Sequence, residues 1–285
     1  YTHVYGLEEL EALAPFLDDL YRACDLQGLP AETAISEFGP GQLEITLRHR
    51  ADALRAIDEG VMFKRLVKGI ARKHGYVACF MAKPFAAASG SGMHIHLSVE
   101  DTDGRNIFAD EAVDGSPALR HAIGGLRETA ADFMAIFAPH ANSYRRFLAN
   151  SYAPLAPTWG VNNRTVALRI PAGPASGRHL EHRICGADAN PYLAGAAVMA
   201  GVLHGLQGEI DPGPAVEGNG YETGNVAPLP QTWPEAIARF KGSALAREYL
   251  SERMVEVFAA VKQAECQRFQ SEISTQDYDW YLQLA

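Results

Sequence analysis

Apolar residues recur every three to four positions in five stretches of the chain. "GLEELEALAPFLDDLYRACDLQG" places Leu10, Leu13, Leu17 and Leu20 at such steps and runs out at Gly28. That period lays an apolar stripe along one helical face, and glycine is a frequent C-terminal stop. "ADALRAIDEGVMFKRLVKGIARKHG" repeats the pattern with Leu54, Ile57, Val61, Leu66 and Ile70 before Gly75. Helices are predicted likewise for "SPALRHAIGGLRETAADFMAIFAP", "NPYLAGAAVMAGVLHGLQGE" and "SALAREYLSERMVEVFAAVKQAECQRFQ".

Between these stretches the period drops to two, the mark of a half-buried strand. "QLEITLR" alternates Leu43, Ile45 and Leu47 with Gln42, Glu44, Thr46 and Arg48. "MHIHLSV" sets Met93, Ile95, Leu97 and Val99 against His94, His96 and Ser98. "RTVALRIP" sets Val166, Leu168 and Ile170 against Thr165, Ala167 and Arg169, and "HLEHRIC" sets Leu180 and Ile184 against His179, Glu181 and Arg183. Side chains two apart share a face, so each strand offers one apolar and one chemically loaded side. Helices covering the apolar faces leave the loaded faces lining a common cleft. The expectation is an α+β fold with a curved, mainly antiparallel sheet lining the active site and helices behind it.

Composition narrows the classes. The 285 residues are 47% hydrophobic and 21% charged, with a net charge of −9. That is ordinary globular composition with ample core material, and the acidic balance argues against a protein that coats nucleic acid or an anionic membrane. No apolar run reaches the roughly 18 residues of a membrane span. Cys24, Cys79, Cys185 and Cys266 are scattered without CxxC spacing and read as reduced thiols of a cytoplasmic protein. Residues 212–231 are dense in glycine and proline and read as a long surface loop.

The loaded faces and nearby loops pool Glu37, Glu44 and Glu181 with His94, His96, Arg145, Arg146, Arg164, Arg169 and Arg183. Carboxylates with an imidazole suit divalent ions such as Mg²⁺ or Mn²⁺, and several arginines suit phosphates and carboxylates. Taken singly, each piece fits a plain reading: a hydrogen-bonded histidine pair, solvent-facing glutamates, arginines at a strand edge. Together they point to metal-assisted chemistry on a polyanion, with nucleotide phosphates foremost. The G-x-S-x-G elbow, the Walker loop, G-x-G-x-x-G after a strand and H-E-x-x-H are all missing from the sequence.

The motifs "EFGPGQLEITL", "GSGMHIHLS", "ANSYRRF", "WGVNNRTVALRIP" and "HLEHRICGADANPYL" stand in that order. They resemble successive signatures of the glutamine synthetase superfamily, type I, and its γ-glutamyl-polyamine branch, from about Leu20 to Leu206. "DYDWYL" looks like the family's closing helix. The resemblance implies an enzyme that uses ATP to phosphorylate the γ-carboxylate of glutamate and then lets an amine displace the phosphate, with two divalent ions. It implies that Glu37 and Glu44 bind one metal and His94 and Glu181 the other. Gly90 would present backbone to the amino acid, and Arg146 and Arg183 would hold its carboxylates. Arg164 and Arg169 would meet the transferring phosphate, and His96 and Ser98 would lie toward ATP.

Three positions depart from the family pattern. Ser89 stands where asparagine is usual, Ser176 lies near the place of a customary lysine, and Tyr152 falls where glutamine synthetases proper carry a glutamate over the ammonium site. The last favours a polyamine or other primary amine as acceptor. The resemblance also implies that residues 1–285 are one catalytic domain, lacking the family's N-terminal β-grasp domain and first catalytic strand, and that the protein forms a homo-oligomeric ring with active sites between subunits. Other readings are a glutamine synthetase using ammonia, a catalytically silent scaffold of the same fold, and a metallohydrolase, which would leave the arginines without a role.

Overall fold

The computed structural model describes residues 4–222 and 226–284. The first helical stretch folds as two helices, α1 (Leu7–Ala12) and α2 (Ala14–Gln27). Pro15 lacks an N–H and suits the first turn of a new helix, so the break falls at Leu13. Gly28 ends α2 in the left-handed region at φ 66°, as the stop signal predicts.

A hairpin follows, β1 (Ala31–Ser36) with β2 (Leu43–Leu47), antiparallel with Ile35 opposite Glu44 and Ser36 opposite Leu43. Its turn is closed by the Glu37 N–H donating to the Gln42 carbonyl at 2.8 Å. Helix α3 (Ala53–Lys73) is capped by Asp52, whose carboxylate accepts from the Arg55 N–H. Its buried stripe differs from the periodic reading at two places. Leu54 is 63% exposed, while Glu59 is buried and neutralised by Arg50 at 2.9 Å and Arg55 at 3.1 Å.

The remaining elements are β3 (Ile95–Leu97), α4 (Pro117–Thr129), α5 (Met134–Phe137), β4 (Trp159–Val161), β5 (Leu168–Ile170), β6 (Leu180–His182), α6 (Pro191–Gly208), α7 (Trp233–Gly242), α8 (Ala244–Leu250), α9 (Glu252–Ser271) and α10 (Thr275–Tyr281). Strands β3, β6, β5 and β4 lie side by side in that order, antiparallel except for the β4–β5 pair. Among the described residues the sheet structure is thus two pieces, this four-stranded sheet and the β1–β2 hairpin. Ser251, at φ 78°, divides the last long helical stretch into α8 and α9.

Burial follows the alternation. Leu168, Ile170 and Leu180 are fully buried on the sheet's apolar face, against Leu119, Ile123 and Leu126 of α4 and Met134 and Phe137 of α5. Each such side chain contributes about 2 kcal/mol by leaving water, which fixes that face inward and the charged face outward. Helices α4 and α6 cross at glycines. A Cβ on Gly205 would lie 2.0 Å from the His121 carbonyl oxygen, and one on Gly125 would lie 2.2 Å from backbone atoms of Gly201 and Gly205. A second core joins Phe16, Leu17 and Leu20 of α2 to Phe63 and Ile70 of α3, with the apolar side of the hairpin packed on it.

The glycine- and proline-rich stretch runs along the surface, pinned to the sheet by the Val216 N–H donating to the Trp159 carbonyl at 2.8 Å. Cys24, Cys79, Cys185 and Cys266 are all free thiols. Among the described residues no helix is long and apolar enough to cross a membrane.

Candidate active site

The strand register assembles the loaded faces. His96 of β3 and Arg169 of β5 both stand opposite Glu181 of the central strand β6. Residues directly opposite in adjacent strands share a face, so one carboxylate lies between an imidazole and a guanidinium. Its Oε1 accepts from Arg183 Nη1 at 2.6 Å and lies 3.2 Å from His94 Nδ1 and 3.9 Å from His96 Nε2. Its Oε2 accepts from Arg169 Nη1 at 2.8 Å. Glu181 and Arg183 are both nearly inaccessible, at 2% and 4% exposure.

Burial alone would raise the Glu181 pKa. The hydrogen bond with His94 and the charges of Arg183, His94 and His96 outweigh it and hold the carboxyl well below the usual range. His94 itself is pushed down to about 4, chiefly by burial, against the pull of Glu181. It is therefore a neutral imidazole near neutrality, the form that ligates metal.

The hairpin brings Glu37 and Glu44 to the same cleft. Desolvation raises both carboxyls. Glu44 is raised further by the negative charges of Glu37 and then Glu181, while Arg183 and Arg164 act in the opposite sense on both. Three carboxylates that repel one another, beside a neutral imidazole, form a donor set that a divalent cation would relieve. By chemistry these residues fit such ions. As they stand, among the described residues, no three His, Cys, Asp or Glu side chains lie close enough to enclose one, and Glu181 spends its oxygens on His94, Arg169 and Arg183.

The arginines divide. Arg183 also donates from Nη2 to the Arg164 carbonyl at 3.0 Å, and its Nε is buried without a partner among the described residues, as is that of Arg169. Arg164 donates to the Tyr5 hydroxyl at 2.8 Å. Arg146 is turned away from the carboxylates: it is buried and donates to the carbonyls of Ile184 at 2.8 Å and Arg183 at 3.2 Å, and burial pushes its pKa down to about 10. Its Nη2 nonetheless lies against Gly92, where a Cβ would come within 2.8 Å of it and within 3.2 Å of His94 Nε2. A side chain at this position would have to displace the end of Arg146 or His94.

His96 pairs with His179 across 3.1 Å; His96 and Ser98 are exposed and His179 is half-buried. Gly90 accepts through its carbonyl from Gln42 Nε2 at 3.0 Å. Sequence reasoning missed that role of Gln42, which ties the hairpin turn to the glycine run. It also passed over Asn162, whose side-chain oxygen accepts from Arg169 at 3.0 Å, and Tyr5. Neither has a periodic signal. His182, by contrast, sits behind the sheet against Phe137 and takes no part in the cleft.

Residues 1–281 match the family model described as glutamine synthetase, catalytic domain. The chain is 42% identical over 284 residues to γ-glutamylputrescine synthetase PuuA of Escherichia coli (strain K12), covering 100% of this chain and 60% of that protein. It is 34% identical to the glutamate–isopropylamine ligase of a Pseudomonas species, covering 99% of this chain and 62% of the relative. It is also 37% identical to γ-glutamylethanolamide synthetase GlnA4 of Streptomyces coelicolor, covering 90% and 53%. The solved structure described as GmaS/ADP complex, conformation 1, superposes with a TM-score of 0.90 at 30% identity, covering 99% of this chain and 66% of that one. The chain thus spans about 60% of the length of the first of these relatives. By the ordered motifs, the shared fold and the family model across nearly its whole length, this chain belongs to the glutamine synthetase catalytic-domain family.

Proposed function

We propose that residues 1–285 act as the catalytic domain of an ATP-dependent ligase that joins the γ-carboxylate of glutamate to a primary amine or polyamine through a γ-glutamyl phosphate. The observation that carries the reading is the hub at Glu181, where two arginines and an imidazole converge on one buried carboxylate facing Glu37 and Glu44. The names of the relatives, which specify putrescine, isopropylamine and ethanolamide products or acceptors, support an amine larger than ammonium.

In this reading the γ-carboxylate oxygen attacks the terminal phosphorus of ATP and ADP leaves. The amine lone pair then attacks the acyl carbon, the carbon–oxygen bond to phosphate breaks, and the amine gives up a proton. Arg183 and Arg146 hold the carboxylates of glutamate, and Gly90 presents its backbone to the amino acid. Arg164 and Arg169 face the transferring phosphoryl group, where fixed positive charge lowers the barrier. His96 and Ser98 face ATP. Glu37 with Glu44, and His94 with Glu181, would hold Mg²⁺ or Mn²⁺, which when bound neutralises phosphoryl charge. A homo-oligomeric ring working in the cytoplasm, with sites between subunits, belongs to the same proposal.

The test is ADP release by the full-length protein with glutamate and a panel of amines. Primary amines or diamines exceeding ammonium in kcat/KM are expected. Ammonium outcompeting every other amine would sink the acceptor assignment.

A further inference from the structure

Arg146 closes a 3₁₀ turn over Ala141–Arg146. Side chains three apart eclipse one another in such a turn, so Ser143 shares the face from which Arg146 projects. Ser143 is buried; its hydroxyl donates to Asp188 Oδ2 at 2.6 Å and accepts from the His140 N–H at 3.0 Å. The His140 ring brings Nδ1 to 3.0 Å from the same carboxylate oxygen. Asp188 thus grips the face of the turn that carries Arg146, and its charge is opposite to that of the guanidinium. Asn142 clips the turn to a second loop. Its side-chain oxygen accepts from the Lys83 N–H at 2.9 Å, and its amide donates to the Lys83 carbonyl at 2.8 Å.

Both anchors lead to the glycine run. The Ser91 N–H donates to the Ala82 carbonyl at 2.8 Å, and the Ala187 N–H donates to the Ser91 carbonyl at 3.0 Å. Lys64 of α3 donates to the Ala187 carbonyl at 2.7 Å, which fixes the Asp188 segment to a long helix. Arg146 leaves the turn along Gly90, where a Cβ would come within 2.8 Å of its Cγ, before it reaches Gly92 and the carbonyls of Arg183 and Ile184. A long flexible stem is aimed in this way from its base as well as its tip. Asp188 is a costly means of merely closing a turn. Its side chain is only 10% exposed, and Oδ1 is buried without a partner among the described residues. A carboxylate oxygen left unpaired inside a protein is destabilising, so stability alone is a poor account of an aspartate at this place.

We infer that Asp188 is a positioning residue: through Ser143 it holds the turn that aims Arg146 along the glycine run, and so sets the affinity for the amino acid whose carboxylate Arg146 holds. The inference rests on the ligase reading and adds to it a residue that acts through another. The experiment measures KM for glutamate, KM for ATP and kcat from ADP release by the full-length protein and its Asp188→Ala, Asp188→Asn and Ser143→Ala variants. Asp188→Ala is expected to raise KM for glutamate about tenfold, the scale of a small misplacement of a binding group, with KM for ATP unchanged. Ser143→Ala moves the same constant in the same direction, and it decides the matter by itself if Asp188→Ala does not fold. Asp188→Asn keeps an oxygen for the Ser143 hydroxyl and restores most of the glutamate affinity. A merely structural role would reduce the number of folded sites, lowering apparent kcat and leaving both KM values alone; that result overturns the inference while the ligase stands. An equal rise in both KM values overturns it too, since the whole site would then have loosened. No ADP release by the unaltered protein with glutamate and any amine sinks the ligase reading and the inference together.

Discussion

Arg183 Nη1 donates to Glu181 Oε1 across 2.6 Å, with both side chains almost sealed from solvent. The two residues are separated by one position on β6 and its extension, so the strand's own period of two brings them together. The same guanidinium reaches the Arg164 carbonyl and so links β6 to the chain before β5. Structure and chemistry thus depend on one side chain.

Arg183→Ala leaves Glu181 buried with Arg169 and His94 as its partners. Removing one member of a buried pair costs about 3 kcal/mol, so the urea midpoint should fall clearly. Arg183→Lys keeps the charge but loses the planar fork. It should recover part of the stability while glutamate-dependent ADP release stays at least about tenfold below wild type. Equal recovery of stability and activity would show that positive charge alone suffices.

His182 gives the acid limb of stability a testable cause. Burial pushes its pKa down to about 3, from an ordinary value of 6.5. Above the ordinary value neither state is protonated and the group contributes nothing. As pH falls below it, the unfolded chain takes up a proton that the folded chain refuses, so stability declines until the folded pKa is reached. His94 acts in the same direction down to about 4. Between about pH 7 and pH 5, His182 should account for about 2 kcal/mol of lost stability. Urea unfolding of His182→Gln at both pH values should show a flatter acid limb, and a limb as steep as wild type would contradict this.

Gly205 tests the helix crossing that backs the sheet. A Cβ there would sit 2.0 Å from the His121 carbonyl oxygen, against backbone that cannot swing aside. Gly205→Ala should therefore destabilise by more than about 2 kcal/mol, although alanine favours helices. Gly69→Ala, in α3 with open space around it, serves as the control and should be neutral or stabilising. Similar thermal midpoints for the two variants would contradict the crossing as described.

The alternation of "MHIHLSV", "RTVALRIP" and "HLEHRIC" carried enough information to place His94, His96, Arg169, Glu181 and Arg183 on one face, because period two leaves no other arrangement once the apolar side is buried. Register made that face a site, and register depends on which strands pair, which no local pattern states. β1 and β4 escaped notice for the same reason: "AETAIS" lacks clean alternation, and Trp159–Val161 is too short to show a period. Helix breaks at Leu13 and Ser251 interrupt stripes that continue in phase across them. The orientation of Arg146 was also illegible, since its partners are backbone carbonyls of residues 183 and 184 that only the folded chain brings near. The Phe38 and Tyr152 rings, whose centroids lie 5.7 Å apart, have no sequence signature either, being a contact between a hairpin turn and a loop far along the chain.

The central claim is an amide formed through a γ-glutamyl phosphate. Glutamate with both γ-carboxylate oxygens replaced by heavy oxygen, incubated with ATP, a primary amine and the full-length protein, reports it directly. Because the carbon–oxygen bond to phosphate breaks in the second step, mass spectrometry should find one labelled oxygen in each inorganic phosphate released and one in each γ-glutamylamide. Phosphate released without label, or ADP formed at the same rate when glutamate is omitted, would contradict the account.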